Sequence, residues 1–140
     1  MHIEPGIVNG AKIALSYATA AGAAWYSLKL TLQSVTSVGV TSFVARTVLA
    51  MLATFCFFEV LPHFPVGVSE VHFILGSTLF LLFGVAPAAI GLAAGLLLQG
   101  AIFAPADLPQ YFINTTTLLV PLFAVSALAK RIIAPDTAYV

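Results

Sequence analysis

Charged side chains are scarce in this sequence. Only 7% of its 140 residues are Asp, Glu, Lys or Arg, whereas 61% are hydrophobic. A soluble domain of this length would carry about a quarter charged residues, so the composition excludes an ordinary water-soluble fold. The formal net charge is zero, which argues against nucleic acid as a partner. The predicted fold class is all-α, a polytopic membrane helix bundle.

Cysteine and catalytic motifs are also nearly absent. The single cysteine, Cys56, excludes an internal disulfide and a multi-cysteine metal site, and its apolar neighbours predict a buried, inert thiol. No Gly-rich phosphate loop with a lysine is present, and the apolar spans hold too few ionisable residues for acid–base chemistry. We therefore expect no enzymatic activity in this chain.

Apolar runs predict a single transmembrane domain over residues 1–140, with about five helices. The stretch 30–38 is polar and predicts a connection, prolines interrupt 62–67, and two further prolines predict a loop over 104–110. A tight turn at 84–87 divides a run that is too long for one crossing. The predicted spans are 7–28, 39–61, 72–86, 88–103 and 112–131.

Charge asymmetry predicts the orientation of these spans. If the spans alternate, the loops on one side carry acidic residues without Lys or Arg, and the other side is basic. The acidic set is Glu4, Glu59, Glu70 and Asp107, and the basic set is Lys29, Lys130 and Arg131, with Arg46 reaching towards it. Because basic residues favour the cytoplasm, we expect the N-terminus and all three histidines to face outward.

Small residues recur every four positions along the first span, at Ala14, Ala18 and Gly22. A face of this kind lets another helix backbone approach closely within lipid. The neighbour is either a helix of the same chain or a separate subunit, and the spacing is compatible with both.

The N-terminal pair Met1-His2 offers three successive nitrogens: the Met1 amine, the His2 amide and the His2 imidazole. They form a planar set that suits Ni(II) or Cu(II), and a fourth nitrogen completes the square. The amine must lose its proton, so binding should weaken in acid. His72 is the first candidate for the fourth ligand, and His63, between prolines in a more exposed loop, is the alternative.

These residues resemble the CbiM/NikM family, the substrate-binding membrane subunits of cobalt and nickel energy-coupling-factor transporters. The similarity rests on Met1-His2-Ile3 followed by Pro5-Gly6, and on Ser69-Glu70-Val71-His72 at the predicted start of the third helix. Leu96-Leu97-Leu98-Gln99 and Asn114 match further features of the family. Family members usually continue through at least one more helix.

The resemblance implies a role for each matching residue. Met1, His2 and His72 would bind the metal, and Asn114, Gln99 and Ser69 would support the site from behind. For Asn114, a helix N-cap ahead of Thr115 is an equally good interpretation. For Gln99, an interhelical hydrogen bond is the better one.

The resemblance also implies import of Ni(II) or Co(II) through the plasma membrane of a prokaryote, for cobalamin synthesis or nickel enzymes. The implied partners are a coupling transmembrane subunit, cytoplasmic ATPase subunits and a small auxiliary membrane subunit. The alternative from another class is a structural or accessory subunit that transports nothing, in which His2 and His72 are ordinary interfacial residues.

Overall fold

The computed structural model describes residues 2–3, 8, 10–67, 69–72 and 75–133, and for 2–3 and 69–71 it describes the backbone alone. Helices account for most of this part of the chain, so the predicted all-α bundle is confirmed. The α-helices are α1 Ala11–Val38, α2 Val40–Glu59, α3 Gly76–Phe83, α4 Val85–Ile102 and α5 Tyr111–Ile132, with a 3-10 helix at Pro105–Gln110. The strands are β1 His2–Ile3, β2 His63–Val66 and β3 Ser69–His72.

Length and composition distinguish some helices as candidates to cross a membrane. Within the described residues, three segments are long and apolar enough to cross a membrane: Val40–Glu59, Val85–Ile102 and Pro105–Ile132. Helix α3 has eight residues and is about 12 Å long, which is too short to cross a bilayer by itself. Gly84, with φ 90°, joins α3 directly to α4, as the predicted tight turn requires.

Three assignments of secondary structure made from the sequence were wrong. The polar stretch 30–38 belongs to α1, because its hydroxyls bond back to carbonyls of the same helix, as in Thr36 Oγ1 to the Gln33 oxygen at 2.8 Å. His72 ends strand β3, and the third helix begins only at Gly76. The predicted loop over 104–110 contains the 3-10 helix.

The prediction of a buried Cys56 was also wrong, since this thiol is exposed. Cys56 lies two residues from both Thr54 and Phe58, which are buried positions of α2. Two residues correspond to about 200° around a helix, so Cys56 faces the opposite side.

The helix contacts give the direction of each segment. Gly91 packs against Ala50 and Gly95 against Thr54, so α2 and α4 run parallel. Helices α1 and α5 also run parallel to each other, since Tyr17 stacks on Phe112 and, further along both helices, Tyr26 on Phe123, with ring centroids 5.0 and 4.8 Å apart. The chain therefore alternates in direction, and the three strands and the 3-10 helix lie at one end of the bundle. The main core cluster is Ala23, Leu79, Ala88, Ala89, Leu92, Leu119 and Leu122.

Replacing Gly91 or Gly95 by alanine should destabilise the bundle. A Cβ at position 91 would lie 2.5 Å from the Ala50 Cβ and 2.9 Å from the Ala50 carbonyl carbon, and a Cβ at position 95 would lie 2.7 Å from the Thr54 Cβ. Because backbone atoms of α2 stand in the way, the helices must separate, and such overpacking costs about 1–3 kcal/mol. Thermal unfolding in detergent micelles would measure the loss.

Gly22→Ala is the matched control for these two substitutions. Nothing lies within 4 Å of a Cβ at position 22. The better helix propensity of alanine should leave stability unchanged or raise it by up to about 1 kcal/mol. Equal destabilisation by all three substitutions would contradict the close approach of α2 and α4.

Candidate metal centre

A three-stranded antiparallel sheet brings all three histidines of the chain to one place. The strand order is β1-β3-β2, with His2 opposite Glu70 and His63 opposite His72. Residues directly opposite each other share a face of a sheet, and so do residues two apart along a strand. The register therefore assigns positions 2, 63, 70 and 72 to the same face.

The local sequence explains the hairpin of β2 and β3. Pro62 and Pro65 exclude a helix, and an edge strand such as β2 tolerates proline because one side of its backbone needs no ladder partner. Gly67 follows β2 with φ 62°, a conformation that suits the tight turn back into β3. These signals predicted a loop, and the strands themselves were missed.

The ring of His72 lies between the sheet and the helices. It stacks on His63 with centroids 5.3 Å apart and an interplanar angle of 18°, and it contacts Phe58 at 4.9 Å. His72 is half-buried and its Nδ1 is shielded from solvent, whereas His63 is exposed. Phe58, for which the sequence carried no specific signal, is 4% exposed and forms the floor beneath His72.

The N-terminal half of the predicted ligand set is described only in part. Met1 lies outside the described residues, and His2 is described as a backbone position in β1. His72 is two residues beyond the cross-strand partner of His2, and such diagonal neighbours lie about 7–8 Å apart. Among the described side chains, no group of three or more His, Cys, Asp and Glu could hold a metal ion.

Three carboxamide side chains are buried near this end of the bundle. Gln99 is 7% exposed, and Asn114 and Gln110 are each 2% exposed. Within the described part of the chain, the Oε1 atoms of Gln99 and Gln110 have no hydrogen-bond partner. The interhelical hydrogen bond predicted for Gln99 is therefore not made by its Oε1. Gln110 was not predicted, although a glutamine directly before the last apolar span was the available signal.

The N-cap interpretation of Asn114 was wrong. Helix α5 begins at Tyr111, so Asn114 is its fourth residue and Gln110 occupies the N-cap position. Asn114 lines a small cavity together with Gln99, Asp107 and Tyr111. The hydroxyl of Tyr111 donates to the Ala93 carbonyl at 3.0 Å and fixes the start of α5 against α4.

The small face of α1 is not covered by another helix in the described structure. Ala14, Ala18 and Gly22 are all exposed. The opposite face of α1 carries its buried residues, which are Ser16, Ala23, Ser27 and Leu30. Of the two interpretations of this face, contact within the same chain is therefore wrong for the described residues.

One protein-family model matches nearly the whole chain. A family model described as the cobalt uptake substrate-specific transmembrane region, CbiM, matches residues 2–138. The chain belongs to the CbiM family. No curated protein and no solved structure matches it. CbiM membership identifies a transmembrane component of cobalt uptake, which agrees with the multi-pass composition and with the three long apolar helical segments of the described structure.

Replacing Gln99 by methionine should stabilise the CbiM bundle. The substitution keeps the length of the side chain and removes a buried oxygen without a hydrogen-bond partner, which relieves a desolvation cost of about 1–3 kcal/mol. Leu96→Met, one turn earlier on α4 and 4% exposed, is the control for methionine packing and should cost less than about 1.5 kcal/mol. Thermal unfolding without metal would compare the two. A larger loss for Gln99→Met would mean that the carboxamide is satisfied in the protein.

Proposed function

We propose that this CbiM chain is the metal-recognition subunit of an energy-coupling-factor importer for Co(II) or Ni(II). The ion is bound by the Met1 amine, the amide and imidazole of His2, and the imidazole of His72. The observation that carries the proposal is the antiparallel pairing of β1 with β3, which sets His2 diagonal to His72.

Covalent geometry favours this ligand set. The Met1 amine is one residue from His2, so the three N-terminal nitrogens move together as one chelating unit. A diagonal of about 7–8 Å between Cα atoms is within reach of two imidazole side chains. One ion between them would be held by nitrogens at about 2.0–2.1 Å.

The strand order favours His72 over His63 as the fourth ligand. β3 lies directly beside β1, whereas β2 lies one strand further away. Neighbouring strands are about 4.8 Å apart, so His63 is separated from β1 by nearly twice that distance. The packing of Phe58 against His72 also restricts the ring to few orientations, which favours a fixed ligand.

The buried residues behind the sheet support a prearranged site. Histidine ligands are usually oriented by hydrogen bonds from surrounding groups, and altering those groups commonly lowers metal affinity by about 10–100-fold. Gln99 and Asn114 provide polar groups at this depth. Ser69 pairs with Ile3, so the register assigns it to the face opposite that of His72, and the supporting role implied for Ser69 does not fit this register. We assign Gln99 and Asn114 to the support of the metal centre.

The choice between cobalt and nickel rests on two arguments. The family description names cobalt. A square of four nitrogens is the arrangement that Ni(II) readily accepts. Both ions are therefore included in the proposal, with cobalt the substrate that the family favours.

The charge distribution supports an orientation with the sheet outside. Four of the five basic residues lie away from the sheet end: Lys29, Arg46, Lys130 and Arg131. Lys12 is the exception, because α1 begins at Ala11 and Lys12 falls in its first turn beside the sheet. The excess still favours an external N-terminus, and we propose the plasma membrane of a prokaryote as the location. Metal from outside would then meet the histidines first.

Binding of the metal would join the N-terminus to β3 and so couple loading to strand order, a change that partner subunits could recognise. The partners are a coupling transmembrane subunit, ATPase subunits that hydrolyse ATP, and a small auxiliary membrane subunit. The exposed Ala14, Ala18 and Gly22 form the docking face for the coupling subunit.

Substitution of His2 or His72 by alanine should abolish tight binding of Co(II) and Ni(II). Each change removes one nitrogen from a four-nitrogen site, so affinity should fall by more than the roughly 10–100-fold that loss of an outer hydrogen-bonding partner costs. Isothermal titration of purified protein with each ion would measure this. His63→Ala should keep the dissociation constant of the unmodified chain, since His63 is outside the final ligand set. Equal affinity of the unmodified chain and His2→Ala would refute the proposed site.

A bulky residue on the α1 face should prevent assembly without affecting metal binding. Ala18→Trp would hold a partner helix away from the α1 backbone, so co-purification with a co-expressed coupling subunit should be lost. Ala45→Trp is the matched control, because Ala45 is an exposed alanine on α2. Loss of assembly by both variants, or by neither, would argue against a docking role for this α1 face.

A further inference from the structure

His63 has no part in the final ligand set, yet it lies directly opposite His72. The two residues are cross-strand partners, and their rings are stacked at 5.3 Å with 18° between their planes. Cross-strand partners share a face and have Cβ atoms about 4.5–5.5 Å apart. Two imidazoles are thus held together by the hairpin, independently of the N-terminus.

The distance between the two imidazole rings is close to the distance between two ligands of one metal ion. An ion with nitrogens at about 2.0–2.1 Å holds two adjacent ligand atoms about 3 Å apart. The ring of His63 can reach that separation by rotating about its side-chain bonds, since His63 is exposed, while His72 keeps its place against Phe58. The pair is a candidate two-nitrogen site.

His63 and His72 differ in their exposure to solvent and in their position in the sheet. His63 is exposed on the edge strand β2, whereas His72 is half-buried on the central strand and packs against the buried Phe58. On the other side of β3 lies β1, which carries His2. His72 on the central strand therefore lies between His63 on one edge strand and His2 on the other, so an ion bound by His63 and His72 is one strand away from the N-terminal chelate.

We propose that His63 is an entry ligand, which captures the ion together with His72 and releases it when the N-terminal nitrogens bind. This inference rests on the proposed function, because it concerns the route to that site. Capture replaces two water molecules on the ion by two imidazoles. Transfer replaces the His63 nitrogen and remaining water by the three nitrogens of residues 1 and 2, and the protons of the amine and the amide pass to solvent. His72 stays bound throughout, so the ion is never released into solvent.

An entry ligand has a kinetic signature that a permanent ligand lacks. It is bound in the intermediate but not in the final complex. Its removal must therefore slow association and dissociation by the same factor and leave the dissociation constant unchanged. Loss of a permanent ligand instead speeds dissociation and weakens affinity.

The first experiment measures these rates for His63→Phe and His63→Ala. Phenylalanine keeps a ring on His72 but offers no nitrogen, so it separates coordination from packing. Stopped-flow competition with a metal indicator should show association of Co(II) about tenfold slower in both variants. Dissociation into excess chelator should slow by a similar factor. An unchanged association rate, a slower rate only in His63→Ala, or a raised dissociation constant would each overturn the proposal.

The second experiment isolates the pair from the N-terminal chelate. Two residues added before Met1 move His2 from the second position and remove the amine–amide chelate. The extended chain should still bind Co(II) weakly, and this binding should disappear with either His63→Phe or His72→Ala. Weak binding that survives His63→Phe would overturn the entry site. Absence of tight binding in the native chain, with weak binding retained in the extended chain, would refute the proposed function but not the imidazole pair.

Discussion

The close contact between α2 and α4 is the constraint on which the rest of the structure depends. Gly91 and Gly95 present no side chain, so the two backbones meet over Ala50 and Thr54. The contact makes the helices parallel, and parallel neighbours cannot be joined by a tight turn. The chain must return to the other end of the bundle, and between α2 and α4 it forms the β2–β3 hairpin and the short helix α3. The hairpin therefore lies in the connection that this parallel packing requires.

The same contact sets the depth of the residues around the candidate centre. Phe58 is one residue from the end of α2, and Gln99 lies in the last turn of α4. Parallel packing brings these two helix ends to the same level, beneath the hairpin that carries His72. The N-terminus then adds β1 to the free edge of β3. A two-residue strand contributes little stability alone, so in the proposed function metal binding and strand pairing stabilise each other, and each favours the other by the same free energy.

Hydrophobic runs predicted much of the fold, because α2, α4 and α5 are long and apolar enough to be recognised without their neighbours. The sheet was missed because its strands have at most four residues and contain Pro65, which indicates a loop in any sequence pattern. His72 was predicted to begin a helix for the same reason. The histidines could be selected by their chemistry. Their adjacency depends on strand register, which becomes visible only when β1 is paired with β3.

The buried carboxamides give a second reason, independent of the histidines, to locate function at the sheet end. An oxygen without a partner in an apolar interior costs about 1–3 kcal/mol, and an apolar side chain of similar size would avoid that cost. Gln99 and Gln110 both bear such an oxygen, on different segments of the described chain but close to the same end. Locally unfavourable choices of this kind are expected where a site needs polar groups at a fixed depth, and here Gln99 and Asn114 line one small cavity between α4 and α5.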